Sequence, residues 1–503
     1  MPKRTAVLLA AAVAVRAAGV HAQAGSAPVL PAHADTAWSA VFRMDLDTAR
    51  AVIAANHPGA VDARNPAFRR TLESAYREAR AAAPGVNSYA SYRIALSRFG
   101  NRFQDAHLNI GGTRPVAQLR EAGLYPVYRG GAFVVREADE RYGAQAAELR
   151  GAMVEACGGV PAARVFADRV LSWRGRPGVQ ADWHTYAPLL LVDYGPPTPP
   201  GPAECRFRAG GRAITLPLQW RDAAPQEVRA RVLRVAALPV LRPALERMDG
   251  GRTLWVNVPS FYASADSEVA AMNALTDSLR AETERNRGWG VMVIDLRGNS
   301  GGSSVWADQV ASAVFGKPWV DAARAYLRDG VYTEYRVSRD NVETARAAVR
   351  ESEQRHGANS EAVADARALA DSLAAALARG DALYGHAARR TGVPLPAPPA
   401  VPGRVVVVTT ASCFSACLDF LDVVRLHPAI VQVGETTGVD TDYMENWGRP
   451  LPSGLSSIGY PMKVYRNRRR LNNQAYAPRV PYPGEIGDTG ALRRWILAGY
   501  ARW

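Results

Sequence analysis

Val405-Val-Val-Val-Thr-Thr-Ala-Ser-Cys-Phe-Ser415-Ala416-Cys417-Leu-Asp-Phe constrains the fold more than any other stretch of the chain. Arg404 to Thr409, with the continuous apolar run Val405–Val408, reads as a strand covered on both faces. It passes through small residues into helical spacing, so the local reading is buried strand, tight turn, amphipathic helix. The same texture surrounds it. Leu254–Val258 and Val291–Leu296 read as strands, Ser267–Arg285 and Ser415–Leu426 as helices, and Ile430–Val433 as a further strand. Strands alternating with helices need crossover connections and therefore parallel pairing, which puts this half of the chain in the α/β class.

The chain has 503 residues, enough for two to four domains of about 100–200 residues each. Residues 35 to 104 read as helical, with a start at Asn65-Pro66 and Leu72, Ala75, Tyr76 and Ala79 at helical spacing. From 115 to 225 short apolar runs such as Leu124–Tyr128 and Ala132–Val135, broken by glycine and proline, read as a small β-rich domain. Within it, Gly151–Val165 resembles the strand–turn–helix of a PDZ-type module, which binds peptides by strand addition; a plain structural β domain fits equally. Residues 321–400 form an insertion. Its centre, Asn341–Arg379, reads as an exposed helical hairpin, and Pro394–Pro402 as a proline-rich linker.

Lys3 and Arg4, the apolar run Ala6–Val15 and the small-residue site at Val20-His21-Ala22 or Ala22-Gln23-Ala24 read as a secretory signal peptide over 1–22. The expected location is therefore periplasmic or secreted. No stretch approaches the about 20 apolar residues of a membrane-spanning helix. The net charge is +14, almost all of it from arginine, and favours an anionic environment. No clustered basic helix or aromatic–basic module points to nucleic acid, and Arg466–Arg470 reads as a solvated loop. Four cysteines match no zinc pattern. Cys157 and Cys205 are a possible pair. Cys413 and Cys417 flank Ser415, and a small apolar lining is favoured over a local bridge.

A serine where a strand gives way to a helix opens onto a crevice, and the helix start favours developing negative charge. That suits an acyl-transfer nucleophile. Serine is also an ordinary helix N-cap, so the position alone does not decide. A second turn, Asp295-Leu-Arg-Gly-Asn-Ser-Gly301-Gly302, follows another apolar strand, and its glycines allow successive N–H groups to face one anionic atom. The spacing fits neither GxxxxGK[ST] nor GxGxxG.

In this order the two segments, with Gly434-Glu-Thr-Thr-Gly438 and Leu451-Pro-Ser-Gly454, resemble the carboxy-terminal-processing (tail-specific) serine peptidase family over 250–320 and 401–490. The resemblance implies an α/β, crotonase-like core from 226–320 and 401–503. A helical region (23–115), a PDZ-like domain (116–225) and the insertion (321–400) would surround it. It implies a peptide or protein substrate and no cofactor or metal. Ser415 would be the nucleophile, and the N–H groups of Ala416 and of Gly301 or Gly302 the oxyanion donors.

One branch of that family uses a lysine just after the Gly-Glu-x-Thr-x-Gly segment, but Val439-Asp440 stands there, and neither Lys317 nor Lys463 matches. The other branch, typified by the tricorn core protease, uses an upstream histidine. Phe103-Gln-Asp105-Ala-His107-Leu-Asn109 is similar to its Asp-x-His pattern, which makes His107 the expected base. The other histidines, His57 and His427 among them, lack a comparable motif. The tricorn-like serine beside the histidine is replaced by Ala106. Where its distant glutamate should fall, amides stand instead, so Asn473 or Gln474 is expected to orient the imidazole, with Asp105 as a rival. Two other readings remain open: a secreted esterase with the same machinery, and a catalytically silent peptide-binding envelope protein.

Overall fold

The computed structural model describes residues 35–116, 119–236, 238–284 and 288–503. The expected signal peptide lies outside them. No helix among the described residues is long and apolar enough to cross a membrane.

The α/β core is built on a six-stranded sheet in the order Ala244–Met248, Thr253–Asn257, Val291–Asp295, Arg404–Thr409, Ile430–Gly434, Val480–Pro481. The first pair is antiparallel and every later pair parallel, as the alternation of strands and helices requires. The pleat sends Val405 and Val407 to one face, against Asp266–Glu284, Ser304–Phe315 and Ala416–Val424. Val406 and Val408 go to the other face, against Leu492 and Ile496 of the helix Thr489–Gly499. Burial on both faces is why these strands are almost purely aliphatic. Their carboxyl ends, at Asp295, Thr409 and Gly434, lie side by side and release the glycine turn, the Ser415 turn and the 435–442 loop at one edge of the sheet.

A second sheet joins the N-terminal region to the C-terminal half. Asn109–Gly112 pairs antiparallel with Ser456–Arg466, which also pairs with Tyr443–Pro450 and Tyr332–Arg336. The helices Asp35–Asn56, Ala67–Ala82 and Tyr89–Asn101 pack against this sheet through Phe42, Phe68, Tyr92 and Phe99, with Tyr443, Ile458 and Tyr460 opposite. This pairing fixes the segment carrying His107, two residues before the strand.

A third sheet, in the order Leu124–Arg129, Ala132–Ala138, Met153–Cys157, Glu204–Ala209, Arg212–Pro217, forms the β-rich region, with short helices such as Ala162–Phe166 and Gln180–Tyr186 against it. Cys157 and Cys205 face each other across its central pair and are bonded. The insertion contains the expected hairpin, Arg339–His356 and Glu361–Arg379. One face of it is buried through Val342, Ala345, Ala370 and Leu373, and Ser338 and Asn341 are hydrogen-bonded to Asn56, so it is seated on the N-terminal helices rather than fully exposed.

Candidate active site

Ser415 stands at the N-cap position of Ala416–Val424, but its side chain caps no helical N–H. Its backbone has φ 55°, a region costly to a residue with a Cβ. The turn is held instead from outside the side chain. The Ser415 N–H donates to Asp440 Oδ1 (3.1 Å), and Cys413 and Cys417 are joined in a disulfide that brackets the serine. The apolar-lining reading of these cysteines is therefore corrected: two buried sulfurs four residues apart staple the turn. Ser415 Oγ, half-exposed, has no hydrogen-bond partner among the described residues, and neither has the Ala416 N–H at the helix start.

The glycine turn closes on this serine. Asp295 and Arg297 form a fully buried bidentate pair, and Arg297 also reaches Ile486 O and Thr489. Asn299 donates to Val258 O and accepts the Gly301 N–H through Oδ1 at 2.9 Å. Gly301 (φ 99°) lies so near that a Cβ there would stand 2.5 Å from Phe414 O and 2.9 Å from Ser415 Cβ. A Cβ on Gly302 (φ 135°) would stand 2.2 Å from the Phe261 carbonyl carbon. Only glycine fits at either place. With the Gly301 N–H engaged by Asn299, the Gly302 N–H is the one without a protein acceptor among the described residues.

His107 packs its ring 5.0 Å, centroid to centroid, from that of Phe414, the residue before Ser415; no hydrogen bond joins the His107 and Ser415 side chains. Its backbone N–H donates to Asp105 Oδ1 (2.8 Å), and its Nδ1 lies 3.8 Å from the same oxygen, buried and without a hydrogen bond. Asp105 Oδ1 also accepts from Thr441 Oγ1 (2.8 Å). Asp440 and Thr441, adjacent residues of the 435–442 loop, thus tie the serine turn to the carboxylate beside the histidine. Burial works against ionising Asp105, but His57 and His107 hold its pKa below the usual carboxylate value.

The expected amides behave differently. Gln474 Oε1 accepts the Leu471 N–H, closing its own turn. Asn473, at φ 57°, donates its backbone N–H to Asp440 O, and its Oδ1 is buried without a partner. Neither is hydrogen-bonded to His107; the carboxylate beside the ring belongs to Asp105. The lysines stand apart. Lys317 pairs with Asp321 on the surface. Lys463 is ion-paired with Glu445: burial disfavours its charge, but Glu445 and the nearby Tyr335 and Tyr465 lift its pKa well above the ordinary value. His427 lies beyond the far end of the helix Ala416–Val424, held by Pro399 O and the Ala429 N–H.

Four groups were assigned no role by the sequence. Asp440, Arg470, His57 and Glu435 all find partners remote in the chain. Arg470 donates to Asp440 (2.6 Å), Asp422 and Asp419, and Arg466 to Asp62 and Glu334, so the expected solvated loop is instead anchored by buried ion pairs. Glu435 accepts the Ala411 N–H and lies 3.7 Å from His184 of the β-rich region. No group of three His, Cys, Asp or Glu side chains among the described residues is arranged to hold a metal.

The family model for peptidase family S41 matches residues 252–476. Among solved structures, that of mature CPAF is 13% identical with a TM-score of 0.57, covering 92% of this chain and 98% of that one. Mature CPAF complexed with lactacystin gives the same values. At that identity the likeness is one of fold. No curated protein sequence matches the chain. The matched segment holds the core strands from Thr253, the Asp295–Gly302 turn, the stapled Ser415 turn and the Asp440 loop, and over these residues the chain is similar to peptidase family S41, a family of serine-type peptidases.

Proposed function

We propose that the chain is an exported endopeptidase that cleaves peptide bonds through a Ser415 acyl-enzyme with His107 as general base, in the manner of the tricorn-like branch. The core would be crotonase-like and the β-rich region PDZ-like. The observation that carries this reading is the state of Ser415 Oγ: at a helix start where a serine ordinarily caps, it makes no cap bond and sits on a strained, doubly anchored turn.

In the proposed reaction His107 Nε2 takes the Ser415 proton as Oγ attacks the substrate carbonyl carbon. The resulting oxyanion accepts from the N–H groups of Ala416 and Gly302, the two without protein acceptors, each such donor lowering the barrier by about 3–4 kcal/mol. Collapse returns the proton to the leaving amine, and water then hydrolyses the acyl-enzyme by the same path in reverse. Asp105, the carboxylate beside Nδ1, fixes the tautomer that leaves Nε2 free to accept. A charged, ion-paired Lys463 cannot serve as base.

A fluorophosphonate probe tests the reading. The native protein is expected to be labelled on one residue, and Ser415→Ala to abolish labelling with folding intact. A folded native protein that resists the probe would favour the silent peptide binder instead.

The disulfide gives a milder test. Cys413→Ala/Cys417→Ala keeps Ser415 and the Asp440 anchor but removes the staple. It is expected to lower kcat by about 10- to 100-fold, the cost of a displacement of about 1 Å at the reacting atom, with little change in KM. Steady-state kinetics on a peptide substrate measures it.

A further inference from the structure

We infer that His57, which no sequence motif marks, is a positioning residue for the base: its Nε2–H holds the Asp105 carboxylate against His107. The inference rests on the reading of His107 as base and adds a third member behind it.

His57 is completely buried. Its Nδ1 accepts the Gly59 N–H at 2.9 Å, so that nitrogen must offer a lone pair and the ring proton sits on Nε2. Nε2 faces Asp105 Oδ2 at 3.6 Å. Neither atom has a hydrogen bond among the described residues, so each is the other's polar neighbour. The separation exceeds a normal hydrogen bond, and the attraction is electrostatic in a site without water contact, where it is strong. The other oxygen, Oδ1, takes the His107 N–H, Thr441 Oγ1 and the approach of His107 Nδ1. The carboxylate is thus divided, one oxygen toward each imidazole.

The surroundings fix the ring and, beyond the Gly59 N–H on Nδ1, leave it no other polar use. Phe68 stacks on it with centroids 4.4 Å apart, and Tyr443 meets it edge-on at 4.8 Å. The charged groups facing it are Asp105 and, behind Tyr443, Asp62, which Arg466 already neutralises. Burial lowers the His57 pKa more than the two carboxylates raise it, so the ring is a neutral donor rather than a second cation. An aromatic hydrocarbon would fill the same wall. What the imidazole adds is an Nδ1 acceptor for the Gly59 N–H and one N–H aimed at Asp105.

The test uses the full chain with His57→Phe and His57→Gln. Phenylalanine keeps the stacking and removes both the donor and the Gly59 acceptor; glutamine returns an N–H donor at the reach of Nε2 without the Nδ1 acceptor, so recovery by glutamine isolates the donor's part. The phenylalanine variant is expected to melt as a folded protein, with kcat about 10-fold or more lower and KM within about twofold. Because Asp105 loses a group that keeps it ionised, the fall of kcat on the acid side is expected to move to higher pH. Glutamine is expected to recover most of both.

A phenylalanine variant with native kcat and native pH profile overturns the inference. So does an equal loss in both variants with the profile unmoved, which is the mark of a packing role. If the phenylalanine variant does not fold, nitrogen-15 spectra of the native protein decide. A neutral Nε2–H tautomer of His57 whose proton signal moves in Asp105→Asn supports the inference, and an indifferent signal refutes it. Failure of the base reading is distinct: there, His107→Ala retains activity. In an enzyme that His107→Ala inactivates, a native profile in His57→Phe defeats this inference alone.

Discussion

Replacing His107 with alanine is expected to lower kcat by about 10⁴- to 10⁶-fold, because without a base in reach the Ser415 hydroxyl is not deprotonated at neutral pH. The loss should fall on kcat, since no ground-state contact with the peptide is assigned to the ring. Asp105→Asn is expected to cost less, about 10²- to 10⁴-fold, by permitting the wrong tautomer while leaving the imidazole present. Gln474→Ala is expected to cost far less than either, because that amide is spent on the Leu471 N–H. The ranking separates the candidate orienting groups: a Gln474 effect as large as that of Asp105 would return the role to the amides. Turnover of a peptide by His107→Ala at the native rate would remove the base altogether.

The difference between what the sequence disclosed and what it hid follows the range of the interactions. Val405–Val408 and Val291–Leu296 were legible because burial on both faces of a parallel sheet dictates aliphatic composition residue by residue. The strand, turn and helix around Ser415 were legible for the same local reason, and so were the glycines at 301 and 302, where no Cβ fits. His107 is proposed as base through a short motif whose own carboxylate, Asp105, lies two residues away. By contrast, His57 is joined to Asp105 across 48 residues of chain, and a lone histidine after a helix has no local signature. Arg466 and Arg470 looked like a solvated basic run because arginines beside arginines ordinarily are; their carboxylates, Asp62, Glu334, Asp419, Asp422 and Asp440, come from four other parts of the chain. The staple between Cys413 and Cys417 was weighed and set aside, because spacing alone does not say whether two cysteines on a turn face each other.

Arg470→Met is expected to destabilise the protein by about 3–5 kcal/mol, because it strips the buried Asp440 and the partly buried Asp419 and Asp422 of their shared cation. The sign of its pH dependence follows from Asp419 and Asp422. For Asp419, burial raises the pKa but Arg470, followed by Arg468 and Arg324, lowers it below the ordinary 3.8, so in the native protein its stabilisation is present above that value and lost as pH falls through the depressed one. For Asp422 burial already wins over Arg470, and its pKa is raised. Without Arg470 both move upward. Ionising Asp419 then stabilises the folded state less, and ionising Asp422 disfavours it more, so the variant loses ground as pH rises. The deficit in melting temperature should therefore be largest near neutrality and shrink as pH falls toward 3.8. Arg468, 3.7 Å from Asp440 and 3.8 Å from Asp419, softens the loss without replacing the direct bonds. Thermal melts of both proteins across acid and neutral pH measure the effect, and a deficit independent of pH would mean that Arg470 acts by packing. Because Asp440 also anchors the Ser415 N–H, the same substitution should slow fluorophosphonate labelling under conditions where the variant is still folded. Unchanged labelling would show that the disulfide alone holds the nucleophile turn.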